Sequence, residues 1–76
     1  ISVYPNPTSG QVILSVNKAL SNSTVSIVSL TGQTILRKEN VSGTQIIFDI
    51  STQPSSVYYI EVSEGNHVAR TKIIKK

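Results

Sequence analysis

Thr44-Gln45-Ile46-Ile47-Phe48-Asp49-Ile50 decides the fold class. Ile46, Phe48 and Ile50 fall on one side of an extended chain and Gln45, Ile47 and Asp49 on the other, the period of two that marks a strand with one buried face. Working outward, the same type of segment recurs about every ten residues. Val57–Ser63 sends Tyr58, Ile60 and Val62 inward and leaves Tyr59 and Glu61 outside. Gln11–Val16 alternates through Val12, Leu14 and Val16. Thr24–Leu30 places Val25 and Ile27 on one face, but Val28 and Leu30 disturb the alternation, so this strand is expected to be buried on both faces. Ile1–Tyr4, Thr34–Glu39 and His67–Ile74 complete about seven strands.

The breaks between these segments carry turn chemistry. Pro5 and Pro7 lack amide donors and hold their predecessors extended, so Tyr4-Pro5-Asn6-Pro7 ends the first strand as a blunt edge. Thr8-Ser9-Gly10, Leu20–Ser23, Thr31-Gly32, Asn40–Gly43 and Glu64-Gly65-Asn66 read as turns, with Gly32 suited to positive φ. Ser51–Ser56, which contains Pro54, is long and polar enough to cross between layers. Ile and Val dominate the apolar residues and no segment has helical periodicity. The expected fold is therefore all-β, a two-sheet antiparallel sandwich.

The bulk composition limits the chemistry. A 76-residue chain forms one domain, residues 1–76, and domains of that size bury only about 60% of their unfolded surface. Without Cys, neither disulfides nor thiolate metal sites supplement the core. Without Met, Ile1 is read as an internal position and the chain as a fragment of a larger protein. The net charge of +3 is gathered partly at Lys72, Lys75 and Lys76. With one Phe and three Tyr for base stacking, nucleic acid is not an expected partner.

No catalytic or ligand-binding constellation emerges. Ser51, His67 and Asp49 contain the atoms of a hydrolytic triad, but no nucleophile elbow accompanies them and His67 falls beside a hairpin turn. Asp49, Glu61, Glu64 and His67 do not repeat a metal-ligand spacing, and no Gly-rich phosphate loop is present. The chain is read as a non-enzyme without cofactor or small-molecule substrate. Asn22-Ser23-Thr24 and Asn40-Val41-Ser42 fit the glycosylation sequon, but short polar turns are rich in these residues in any case.

Five short motifs in a fixed order add what residue chemistry leaves open: Tyr4-Pro5-Asn6-Pro7 with Ser9-Gly10; Leu30-Thr31-Gly32-Gln33; Asp49-Ile50-Ser51; Tyr58; and Lys72-Ile73-Ile74-Lys75-Lys76. In these, along its whole length, the chain resembles the type A C-terminal sorting domain of type IX secretion substrates from Bacteroidetes. The resemblance implies an immunoglobulin-like sandwich attached to an N-terminal passenger. It implies transit through the periplasm, export by the outer-membrane translocon to the cell surface or medium, and removal by a sortase-like protease that cuts upstream of Ile1. Within this picture Gly10 and Gly32 are expected to serve turns and Tyr58 the core. The strand through Lys72, Ile73, Ile74, Lys75 and Lys76, with the Pro-bounded first strand, is the candidate recognition surface, by edge pairing or by charge. Where the family carries Gly two residues before its penultimate-strand Tyr, this chain has Ser56, at a cost of ~1 kcal/mol if the backbone there is left-handed. The competing reading is a non-catalytic accessory binding or spacer module, carbohydrate-binding or fibronectin-like, on a secreted hydrolase; for sugar binding Tyr59 is the one plausible outward aromatic.

Overall fold

The computed structural model describes residues 2–76, and these form five antiparallel strands. They are β1 (Ser2–Tyr4), β2 (Gln11–Ser29), β3 (Thr34–Asp49), β4 (Ser56–Glu64) and β5 (His67–Lys75). β3 runs along one side of β2; on the other side β1 pairs with its first half and β4 with its second, and β5 lies outside β4.

The expected seven strands become five because hydrogen bonding continues through two of the predicted turns. Gln11–Val16 and Thr24–Leu30 are the two ends of β2, and Thr34–Glu39 and Thr44–Ile50 are the two arms of β3. Their ladder breaks register between Ser15 and Leu20, again between Leu20 and Ser23, and between Ser23 and Val25. Left-handed residues cluster at these bends: Asn22 at φ 50°, Asn40 at 55° and Gly43 at 104°. Asn tolerates this region better than most residues, so backbone geometry accounts for the asparagine of both sequons. The result is one curled sheet, a half-barrel, in place of two separate sheets.

One contact in β3 shows how tightly the sheet curls. In a straight strand, residues nine apart are separated by about 30 Å. Lys38 Nζ nevertheless donates to the Ile47 carbonyl at 2.9 Å and lies 4.9 Å from the Phe48 ring centroid. The two arms of β3 therefore fold toward each other around a common core.

That core is the set the alternation selects: Val12, Leu14, Val25, Ile27, Ile46, Phe48, Ile50, Tyr58, Ile60, Val62 and Ile73. Ile27 and Val28 are both buried, beside a register shift, as expected for a strand covered on both faces. Leu30 departs from expectation at 62% exposure, because β2 has ended at Ser29 and the turn lifts it clear of the sheet. Ser56 has no left-handed backbone and pairs with Lys75, so Ser in place of Gly brings no strain.

Polar side chains hold the connections. Tyr58 is buried and its hydroxyl donates to the Pro54 carbonyl at 2.6 Å, fixing the β3–β4 crossing to the start of β4. The Glu64 carboxylate accepts from the Ser21 amide and the Ser23 hydroxyl, both at 2.9 Å, tying the bend of β2 to the β4–β5 hairpin. These two bonds, the Ser21 amide first, hold the Glu64 carboxyl below its ordinary value of 4.5, with Lys18 and His67 adding to the effect.

Two outcomes follow from these bonds. Tyr58→Phe removes one buried hydrogen bond without opening a cavity and should lower the unfolding free energy by ~1 kcal/mol in urea titration. A depressed carboxyl stabilises the fold above its unfolded-state pKa, and that contribution disappears as pH falls through the lower folded-state value. The thermal midpoint of Glu64→Gln should therefore fall below wild type at neutral pH, and the gap should narrow as pH drops below 4.5.

Candidate functional site

Three of the sequence motifs, Tyr4–Pro7, Tyr58 and Lys72–Lys76, meet where the segment after β1 joins β5. In the register of β4 with β5, Tyr58 stands opposite Ile73 and Ser56 opposite Lys75. Ile73 and Lys75 thus point toward the core face, and Lys72, Ile74 and Lys76 are exposed.

The outer main-chain edge of this part of β5 is filled from within the chain. The Asn6 side chain acts as a short strand mimic: its Nδ2 donates to the Lys72 carbonyl at 3.1 Å, and its Oδ1 accepts the Ile74 amide at 3.0 Å. One step on, the Thr8 amide donates to the Ile74 carbonyl and the Lys76 amide donates to the Thr8 carbonyl, both at 2.8 Å, in a parallel bridge. Pro5 and Pro7 flank the asparagine, each without an amide of its own to satisfy. The peptide bonds preceding both prolines are cis.

Thr8 anchors the segment. It is 1% exposed, its hydroxyl donates to the Gln11 carbonyl at 2.7 Å, and its Oγ1 accepts the Gly10 amide at 3.1 Å. Within Thr8-Ser9-Gly10 no local pattern distinguishes Thr8 from an ordinary turn residue.

The two motif glycines have different causes. Gly32, at φ 93°, closes the turn in which its amide donates to the Ser29 carbonyl and the Ser29 amide donates to Gln33, as expected. Gly10 is not in the left-handed region. It is needed because a Cβ there would lie 2.9 Å from Ser51 Cβ, where the Ile50 amide donates to the Gly10 carbonyl. The Asp49-Ile50-Ser51 motif belongs to the same junction. Its Asp49 carboxylate accepts from the Ser51 amide at 2.9 Å, and the Ser51 side chain and amide together hold the Asp49 carboxyl below its usual range. Buried Ile50 lies between them.

Two geometric facts bear on the candidate recognition surface. From the Lys72 carbonyl to the Lys76 amide, Asn6 and Thr8 occupy the outer main-chain edge of this strand. Lys75 is turned inward: it is 9% exposed and its Nζ donates to the Lys76 carbonyl at 3.3 Å. Tyr4 remains half-exposed, with its hydroxyl accepting from Gln45 Nε2 at 3.2 Å.

The outward aromatic of the competing reading is also accounted for. Tyr59 is half-buried, and the Arg70 guanidinium lies 4.7 Å from its ring centroid while bonding Glu61 at 2.9 Å. A ring covered by its own arginine is not an open platform for a sugar. Ser51 and Asp49 bond each other, and among the described residues no hydrogen bond joins either to His67.

No curated protein matches the chain. A protein-family model does, over residues 2–76, and it therefore spans the β1 edge, Asn6, Thr8 and the whole of β5. The chain belongs to the family of secretion system C-terminal sorting domains.

Proposed function

We propose that the chain is a non-catalytic sorting signal that carries an attached N-terminal passenger across the outer membrane by the type IX route. In this reading it passes through the periplasm, engages the translocon, and is then removed by a sortase-like protease upstream of Ile1. The end-to-end family match carries the proposal. The geometry supports a particular division of labour within it. Asn6, Thr8, Gly10, Ile73 and Tyr58 build the fold. The exposed side chains Lys72, Ile74 and Lys76 are what a translocon component reads.

Ile74 supports this assignment best. It is 41% exposed, stands opposite Val57 on the outer face, and is flanked along its strand by exposed Lys72. On this face Ile74 lies between Lys72 and Lys76, so a partner would meet an apolar side chain flanked by two exposed cations.

The geometry also selects the experiment. Deleting Lys72–Lys76 would remove core residue Ile73 and the partners of Asn6 and Thr8, so lost export would report unfolding. Replacing only outward side chains avoids this. Residues 1–76 fused to an inert reporter in a type IX-secreting host should bring it to the surface or medium. The Lys72→Glu, Ile74→Ser, Lys76→Glu fusion should melt within about 1 kcal/mol of wild type, as surface changes usually do, yet fall at least tenfold in export. Undiminished export of that variant would remove the terminal side chains from recognition, and failure of the wild-type fusion would overturn the sorting assignment.

A further inference from the structure

The main-chain edge of β5 is guarded over only half its length. The β4–β5 ladder has no register shift from Glu64/His67 to Ser56/Lys75, so alternate residues of β5 turn their amides and carbonyls away from β4. Ile74 does so, bonding Asn6 and Thr8. By the same parity Val68, Arg70 and Lys72 do so too. Asn6 takes the Lys72 carbonyl, but among the described residues nothing pairs with the outward groups of Val68 and Arg70 or with the Lys72 amide.

Of the usual protections of a free edge this stretch carries only charge, at Arg70 and Lys72. It contains no proline and no bulge, and its first outward side chain is Val68, at 68% exposure. Beside it a groove opens between the bend of β2 and the start of β5. Val16, Leu20, Val62 and Ala69 give it apolar walls, and Lys18 and His67 stand at its rim. Glu64 also lines it, but its carboxylate is engaged by Ser21 and Ser23.

We propose that the β5 edge from Val68 to Lys72 accepts an extended segment of a partner protein by strand addition, and that this segment alternates apolar with acidic residues. A strand added to an edge gains main-chain hydrogen bonds there and presents successive side chains to opposite faces. Its inward residues meet the groove walls. Its outward residues lie beside Val68, Arg70 and Lys72, where Arg70 is paired with Glu61 at 2.9 Å and Lys72 is a cation with no acidic partner among the described residues. Like charges directly opposite one another are unfavourable, which disfavours a second copy of this chain: antiparallel self-pairing centred on Arg70 sets that residue against itself. The proposal goes beyond the sorting assignment and can be tested without secretion.

The probe is a soluble decapeptide alternating Val with Asp or Glu, titrated into isotopically labelled residues 1–76 and followed by amide shifts. A matched peptide with Lys in place of each acid is the control. The acidic peptide should shift the amides of Val68, Arg70 and Lys72 while those of Ile74 and Lys76 stay in place. Val68→Pro removes an outward donor without touching the β4 ladder, as prolines on edge strands do, and should weaken binding at least tenfold. Arg70→Glu with Lys72→Glu should reverse the preference toward the Lys peptide, which keeps the test decisive if the proline variant misfolds. Absence of binding at millimolar peptide, shifts centred elsewhere, or a preference unchanged by charge reversal would each overturn the proposal.

Discussion

The pairing of Asn6 and Thr8 with the end of β5 is the constraint on which the rest of the structure depends. A sheet of this size curls because its strands twist, but curling alone leaves two free edges and a core open along the seam. Here the seam is closed by an asparagine side chain followed by a main-chain bridge, which together engage the Lys72 carbonyl, both main-chain groups of Ile74 and the Lys76 amide. Backbone groups in that position must find partners or water. Supplying the partners from Asn6–Thr8 brings the first residues of the chain against the last and leaves Ile73 fully covered.

This closure divides the side chains of β5 between core and surface. Inward residues of β5 stabilise the fold, and Ile73 and Lys75 are buried accordingly. Of the alternate residues, the Lys72 carbonyl, both main-chain groups of Ile74 and the Lys76 amide are taken by Asn6 and Thr8, while the side chains of Lys72, Ile74 and Lys76 remain outside. In the proposed sorting role, the exposed side chains of β5 are the surface that a translocon component reads. The closure also ends abruptly at Lys72, leaving the first half of β5 with an unguarded edge.

Much of the core was legible in the sequence. Ile46, Phe48 and Ile50, and Tyr58, Ile60 and Val62, follow from period-two alternation, because each lies on a regular strand with one wet face. Continuity of β2 and β3 through their bends was not legible. Asn22, Asn40 and Gly43 look the same whether they end a strand or bend one, and the difference lies in whether the neighbouring strand bends with it. Gly10 illustrates the other limit. Its need for a small side chain comes from Ser51, forty-one residues away in sequence, and no local pattern reports such an approach. The motif order at the termini was visible, but it could not reveal that Asn6 bonds the strand it was expected to accompany, or that Lys75 is turned inward.

Amide hydrogen exchange of the free protein tests the closure most directly. Val68, Arg70, Ile74 and Lys76 share one side of β5 by parity, so an open edge would leave all four exchanging alike. The account predicts slow exchange at Ile74 and Lys76, fast exchange at Val68 and Arg70, and selective loss of Ile74 protection in Asn6→Ala. Equal protection along the edge, or an Ile74 amide indifferent to Asn6, would contradict it.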